Sequence, residues 1–157
     1  MTMRKIITIC LPLPYKLKTV NCYLIETDIG YILIDTGCST KRTELKKELE
    51  RAGCKPGNLK LVVLTHGDFD HSGNAAYLRE KFGAMIAMHH DDSGMVERGD
   101  MFWNRRKGNI LLGVIARILF RFGKKERFKP DIYIDEGYDL SEYGLDAKVL
   151  HIPGHSK

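Results

Sequence analysis

Two histidines and two aspartates, His66, Asp68, Asp70 and His71, fall within six residues in the stretch LVVLTHGDFDHSGNAAYL, 61–78. Imidazole and carboxylate are the side chains that bind divalent cations of borderline and hard character. In an extended loop, residues two apart project to one side, so His66, Asp68 and Asp70 can converge. His71 follows directly and can turn toward the same point as a helix begins. Gathered in one place without a cation, such groups repel one another or stay unsatisfied. The competing reading is a polar strand-to-helix loop in which Asp70 caps the helix and both imidazoles are solvated. Four such residues at this spacing, directly after an apolar run, favour the cation.

The elements around the loop must hold it in place. The run 59–64 is almost wholly apolar, as expected of a strand covered on both faces. Ahead of it, 5–11, 21–26 and 31–35 read as strands, the last two joined by Thr27-Asp28-Ile29-Gly30, a hairpin turn ending in glycine. Ser39 or Thr40 can cap a helix whose Leu45, Leu49 and Ala52 share one face and which Gly53 ends. A second helix is predicted over 72–82, closed by Gly83, with a buried strand at 85–88. Strands first, then helix–strand–helix–strand, make an α/β layered domain, here one domain over 1–157.

From 91 to 129 the alternation is expected to stop, giving a helical, basic insert or lid. Within it 104–122 reads as a helix, with Asn109, Gly113, Arg117 and Arg121 as a narrow polar stripe on an otherwise apolar surface. Such a helix is expected to be packed or interfacial. After an acidic patch at 131–139, a final strand-like run, 147–152, leads into PGHSK.

Composition bounds the possibilities. Hydrophobic residues make up 43% and charged residues 29% of 157, enough for one globular core. No run approaches the roughly 20 apolar residues of a membrane span. The opening MTMRKIITICLPLPYK is broken by Pro12 and Pro14 and does not read as a secretion signal. Cys10, Cys22, Cys38 and Cys54 form no C-x-x-C pair, so reduced thiols and a cytoplasmic location are expected. The net charge of +5 is local: nine of the 25 basic residues lie between Arg105 and Lys129. One basic surface is therefore expected, more than a general nucleic-acid-binding protein.

THGDFDHSGNA resembles the T-H-x-H-x-D-H signature of the metallo-β-lactamase superfamily. YILIDTGCS resembles that family's early strand ending in Asp-x-Gly, and VLHIPGHS its later strand and histidine-bearing loop. The resemblance runs from about Asn21 to the end of the chain and implies an α+β sandwich, αββα, of which this sequence covers the first half and the start of the second. By position it implies that His66 and His155, with Asp68, serve one metal site and that Asp70 and His71 serve its neighbour. Asp35 would support the ligands through hydrogen bonds, and His151 would be a positioning residue. His89 and His90 read as a solvated loop on the same rim.

Two departures shape the expected chemistry. Asp68 stands where the pattern has its second histidine, so iron or manganese joins zinc as a candidate metal. Family members also continue beyond the Pro-Gly-His turn, which leaves three ligands for one site, two for the other, and a sheet that a second copy of the chain could complete. The resemblance implies a metal-dependent hydrolase of a small-molecule ester, lactone, thioester or phosphodiester, with one or two zinc ions and Asp70 orienting or deprotonating the water. Arg117 and Arg121, one helical turn apart, either meet an anionic substrate group at a pocket wall or form a solvated face. The alternatives are a diiron redox centre of the flavodiiron kind, suggested by Asp68, and a catalytically incompetent metal-binding fragment. Nucleic-acid and membrane-surface partners are not favoured.

Overall fold

The computed structural model describes residues 4–13, 18–100, 102–103, 110–119 and 122–156. Strands β1 (Ile6–Pro12), β2 (Thr19–Thr27) and β3 (Gly30–Ile34) form an antiparallel meander. Strands β4 (Leu59–Val63), β5 (Met85–Met88) and β6 (Ile132–Tyr133) add to it in parallel, so the sheet runs β1-β2-β3-β4-β5-β6. Parallel neighbours need crossovers. Helix α1 (Arg42–Arg51) links β3 to β4, and α2 (Phe69–Ser72) with α3 (Ala75–Phe82) links β4 to β5. Helices α4 (His90–Arg98) and α5 (Ile110–Leu119) lie between β5 and β6.

The pleat sorts the apolar residues to two faces. Leu24, Leu33, Val62 and Ile86 pack under Leu45 and Leu49 of α1, Leu78 and Phe82 of α3, and Val96 of α4. Ile32, Leu61, Val63 and Ala87 face the other way, under Ile134, Leu140 and Tyr143. Leu24, Leu33 and Leu49 are fully buried, and each such leucine stabilises the fold by about 1.5–3 kcal/mol. This mixed sheet with a helical layer on one side is the α/β arrangement expected from the sequence. Residues 134–149 supply the start of the second layer.

Several boundaries differ from the sequence reading. The segment Ser39–Lys41 is a single 3-10 turn and α1 begins only at Arg42. The helix expected over 72–82 starts earlier and is broken. Gly73 packs so tightly that a Cβ there would stand 2.5 Å from the Ser39 nitrogen and 2.8 Å from the Gly37 oxygen. Asn74 Nδ2 meanwhile donates to the carbonyls of Thr36 and Cys38, both at 2.8 Å. These tertiary bonds, absent from any periodicity, stop α2 and restart the chain as α3.

The run 147–152 does not form a strand. It makes one antiparallel bridge, Asp139 to Lys148, flanked by Val149 N–H donating to the Tyr138 carbonyl at 2.9 Å. Leu150 and Ile152 are left exposed, because no neighbour among the described residues pairs with that backbone. Helix α4 carries the α/β alternation beyond residue 91, with Met95 and Val96 buried. The described side chains of helix α5 are exposed, Ile110 at 85% and Ile118 at 71%. Of its expected polar stripe, Asn109, Arg121 and the side chains of Gly113 and Arg117 lie outside the described residues. No helix among the described residues is long and apolar enough to cross a membrane.

All four cysteines are free thiols, with Cys10 exposed and the other three buried. Burial pushes the Cys54 thiol up to about 12, and burial followed by the charge of Asp70 does the same to Cys38. Thiolate is the reactive form, so these side chains are inert in the folded state. A disulfide-exchange reagent at pH 8 is therefore expected to titrate Cys10 alone in the native chain and all four thiols in denaturant. Rapid native reaction of the buried three would contradict the packing.

Candidate metal centre

Strand β4 ends at Val63 and delivers Leu64, Thr65 and His66 beyond the sheet edge, where α2 starts at Phe69. Beside it, β3 ends at Ile34 and is followed by Asp35, whose φ of 58° makes it the only non-glycine with positive φ among the described residues. That strained conformation aims a buried carboxylate at the loop. Asp35 Oδ1 accepts from the Thr65 N–H at 2.9 Å and Oδ2 from the Thr65 hydroxyl at 2.8 Å. Oδ2 also lies 2.8 Å from His71 Nδ1.

These contacts set the imidazole tautomers. A carboxylate only accepts, so His71 Nδ1–H donates to Asp35 and Nε2 turns toward Asp70, 3.8 Å from its Oδ2. The Thr65 hydroxyl has spent its proton on Asp35, so at 2.9 Å it accepts from His66 Nδ1–H. His66 Nε2 is left with a lone pair. That atom is buried and has no hydrogen-bond partner, although it lies 3.2 Å from Asp68 Oδ2. The contact has the distance of a hydrogen bond without its alignment, the arrangement of two ligand atoms facing a shared third.

His155, on the turn after Pro153, places Nε2 3.2 Å from the same Asp68 Oδ2. Ligand atoms of His66, Asp68 and His155 all lie within 4.8 Å of one another. The His66 and His71 rings stand 4.1 Å apart and the His66 and His155 rings 4.9 Å. The residues thus fit a divalent cation: an orphaned buried nitrogen, a carboxylate and a second imidazole around one point. For His71, burial alone pushes the pKa down. The hydrogen bond that His71 donates to Asp35 and the charges of Asp35, Asp70 and Asp68 outweigh it, and the net shift is upward. Protons compete with a cation for that nitrogen more strongly than at an ordinary histidine.

The supporting frame includes residues that sequence reasoning missed. Thr36 donates twice to the His71 carbonyl, through N–H and hydroxyl, each at 2.7 Å. Thr65 fixes the His66 tautomer; a threonine after an apolar strand carries no distinguishing signal on its own. His151 is not drawn to this centre. Its ring stacks on His89 at 4.2 Å, and its N–H donates to Glu136. His89 and His90 are not simply solvated either, for both lie against Asp135. A cavity of about 390 Å³ opens beside His66 and His155, walled by Val63, Leu64, Ile134, Val149 and Pro153. Among the described residues its lining includes the segment 149–156 and none of α5; the side chain of Arg117, and Arg121, expected at a wall, lie outside the described residues.

Fold and site together are a mixed α/β sheet whose loops gather side chains that fit a divalent cation. The Metallo-beta-lactamase superfamily matches residues 15–157, and the chain belongs to that superfamily. It is similar to hydroxyacylglutathione hydrolase GloC of Haemophilus influenzae, 30% identical over 87% of this chain and 57% of that one. It is also similar to the probable metallo-hydrolase YqjP of Bacillus subtilis, 28% identical over all of this chain and 52% of the other. A metallo-beta-lactamase family protein from Thermus thermophilus shares the fold, with a TM-score of 0.70 at 24% identity over 96% of this chain and 52% of that one. The chain spans about half the length of the curated relatives it matches. Membership of the superfamily implies divalent metal binding, and its relatives carry the names of hydrolases.

Proposed function

We propose that the chain carries the metal centre of a hydrolase that cleaves an ester, lactone, thioester or phosphodiester of a small-molecule substrate, with an acyl thioester as the leading class. The observation that carries this is the buried Nε2 of His66, without a hydrogen-bond partner, facing Asp68 and His155. The thioester preference rests on similarity to a protein named for hydrolysis of a hydroxyacylglutathione. His66, Asp68 and His155 would hold one cation and Asp70 with His71 would contribute to a second. Bound there, a divalent ion lowers the pKa of a water toward neutrality and polarises the scissile oxygen.

The chain's own groups do the rest. Asp35 and Thr65 lock the His66 and His71 rings so that the same nitrogens always face the centre. Asp70, partly exposed beside His71, orients or deprotonates the attacking water. The apolar wall of the cavity takes the acyl part of the substrate and excludes bulk water from it. Zinc is the expected ion, and the carboxylate of Asp68 makes manganese or iron acceptable as well.

Hydrolysis of thioester, ester, lactone and phosphodiester substrates, each with added zinc, manganese or iron, tests the reading. Turnover of the thioester that a chelator abolishes is the expected result. No turnover with any ion would overturn it. A redox reading is favoured only by Asp68, and oxygen consumption by the iron-loaded chain would shift the conclusion toward it.

A further inference from the structure

We propose a second cation site at the rim of the cavity, built from His89, His90 and Asp135 and separate from the centre described above. One ligand atom from each of these residues lies within 4.8 Å of the other two. His89 Nε2 is 3.2 Å from Asp135 Oδ1, and His90 Nδ1 is 3.3 Å from the same oxygen. Two adjacent imidazoles can face one atom only if both rings are held.

Here both are. Asp91 stands behind the pair, with Oδ1 3.1 Å from His90 Nε2 and Oδ2 3.9 Å from His89 Nδ1. His151 lies flat on the His89 ring, 15° from parallel, and fixes its plane. Each imidazole therefore turns one nitrogen to Asp135 and the opposite one to Asp91. A carboxylate behind a metal-binding histidine is the usual device for setting the ring's tautomer and raising its basicity.

Without a cation, the Asp91 N–H donates to His89 Nδ1 at 3.3 Å and Nε2–H points at Asp135. That long bond is weak. On binding, the His89 proton must pass from Nε2 to Nδ1, which breaks the bond from the Asp91 N–H, and the Asp91 carboxylate, 3.9 Å away, must close in to accept it. His90 Nδ1–H, which donates to Asp135 at 3.3 Å, likewise gives up its proton in exchange for one on Nε2, 3.1 Å from Asp91 Oδ1, so no proton need leave. Two nitrogens and one oxygen suit zinc, copper or nickel. The positive end of α4 opposes a cation, but Asp91 and Asp92 in its first turn and Asp135 across from it offset that field. His89 and Asp135 both line the cavity, so a cation held there borders the space in which substrate would sit.

The site shares no ligand with the first, and its test separates the two. Zinc bound per metal-stripped chain is measured by equilibrium dialysis for the wild type, Asp68→Ala, His90→Ala and Asp135→Asn, and for each rim substitution added to Asp68→Ala. The His90 and Asp135 side chains are 60% and 67% exposed, so their replacement leaves the fold intact. Asp68→Ala is expected to keep one class of zinc site, and adding either rim substitution to weaken it about ten-fold or more. In the otherwise wild-type chain each rim substitution should remove one zinc equivalent and leave the tighter one. Equal zinc binding with and without the rim substitutions overturns the proposal while leaving the central reading standing. Zinc lost only through the rim substitutions supports this site and counts against the central one.

Discussion

Asp68→Ala is expected to abolish tight zinc binding at the central site, together with any hydrolysis it supports. Asp68 Oδ2 is the atom that both His66 Nε2 and His155 Nε2 approach, each at 3.2 Å. Without it the cation keeps two imidazoles, one of them on a side chain 73% exposed. Loss of a direct ligand should exceed the roughly 10–100-fold cost of losing a supporting partner. Calorimetric titration of the stripped chain with zinc reads the affinity, and kcat/KM on the best substrate reads the chemistry. Asp68→His, which restores T-H-x-H-x-D-H, should retain zinc and lose preference for iron or manganese. Unchanged zinc affinity in Asp68→Ala would show that the three side chains converge for another reason.

The second large effect is at Asp35, where two substitutions separate backbone from charge. Asparagine tolerates the left-handed conformation that Asp35 adopts, so Asp35→Asn should fold. It loses the carboxylate that fixes His71 and, through Thr65, His66, and zinc affinity should fall about 10–100-fold. Asp35→Ala meets the same φ without a polar side chain. It strands the Thr65 hydroxyl and His71 Nδ1, each unmet hydrogen bond to a charged group costing about 1.5–3 kcal/mol. Urea unfolding of the metal-free chain should therefore place alanine well below asparagine, with asparagine near wild type. An asparagine variant with wild-type zinc affinity would reduce Asp35 to a structural role.

The central loop was legible because its donors are local. His66, Asp68, Asp70 and His71 fall within six residues and the apolar run before them announces a strand, although Asp70 and His71 stand on α2 and not on an extended stretch. Asp35 and His155 came only from the family resemblance, since nothing in their own neighbourhoods says which way they face. Thr65 and Thr36 could not be read, for their work lies in bonds to residues 30 and 35 positions away. The rim group was hidden for the same cause: His90 and Asp135 are 45 residues apart and meet because β6 pairs in parallel with β5. The helix expected within 104–122 is present as α5, whereas the run 147–152 was over-read. Periodicity reports a propensity for an element, but a strand also needs a neighbour and an apolar helix also needs a surface. Leu150 and Ile152 show what happens when that neighbour is missing.

Asp68 and His155 are separated by 87 residues of chain. An ion bridging them closes that whole length into a ring, a closure that must open before the polypeptide can come apart. Contacts of such long sequence separation form late in folding. Interactions absent from the transition state act on the rate of opening rather than the rate of assembly. The bound ion would accordingly act as a clasp: refolding speed would hardly depend on it, while the lifetime of the assembled chain would lengthen with every increment of occupancy.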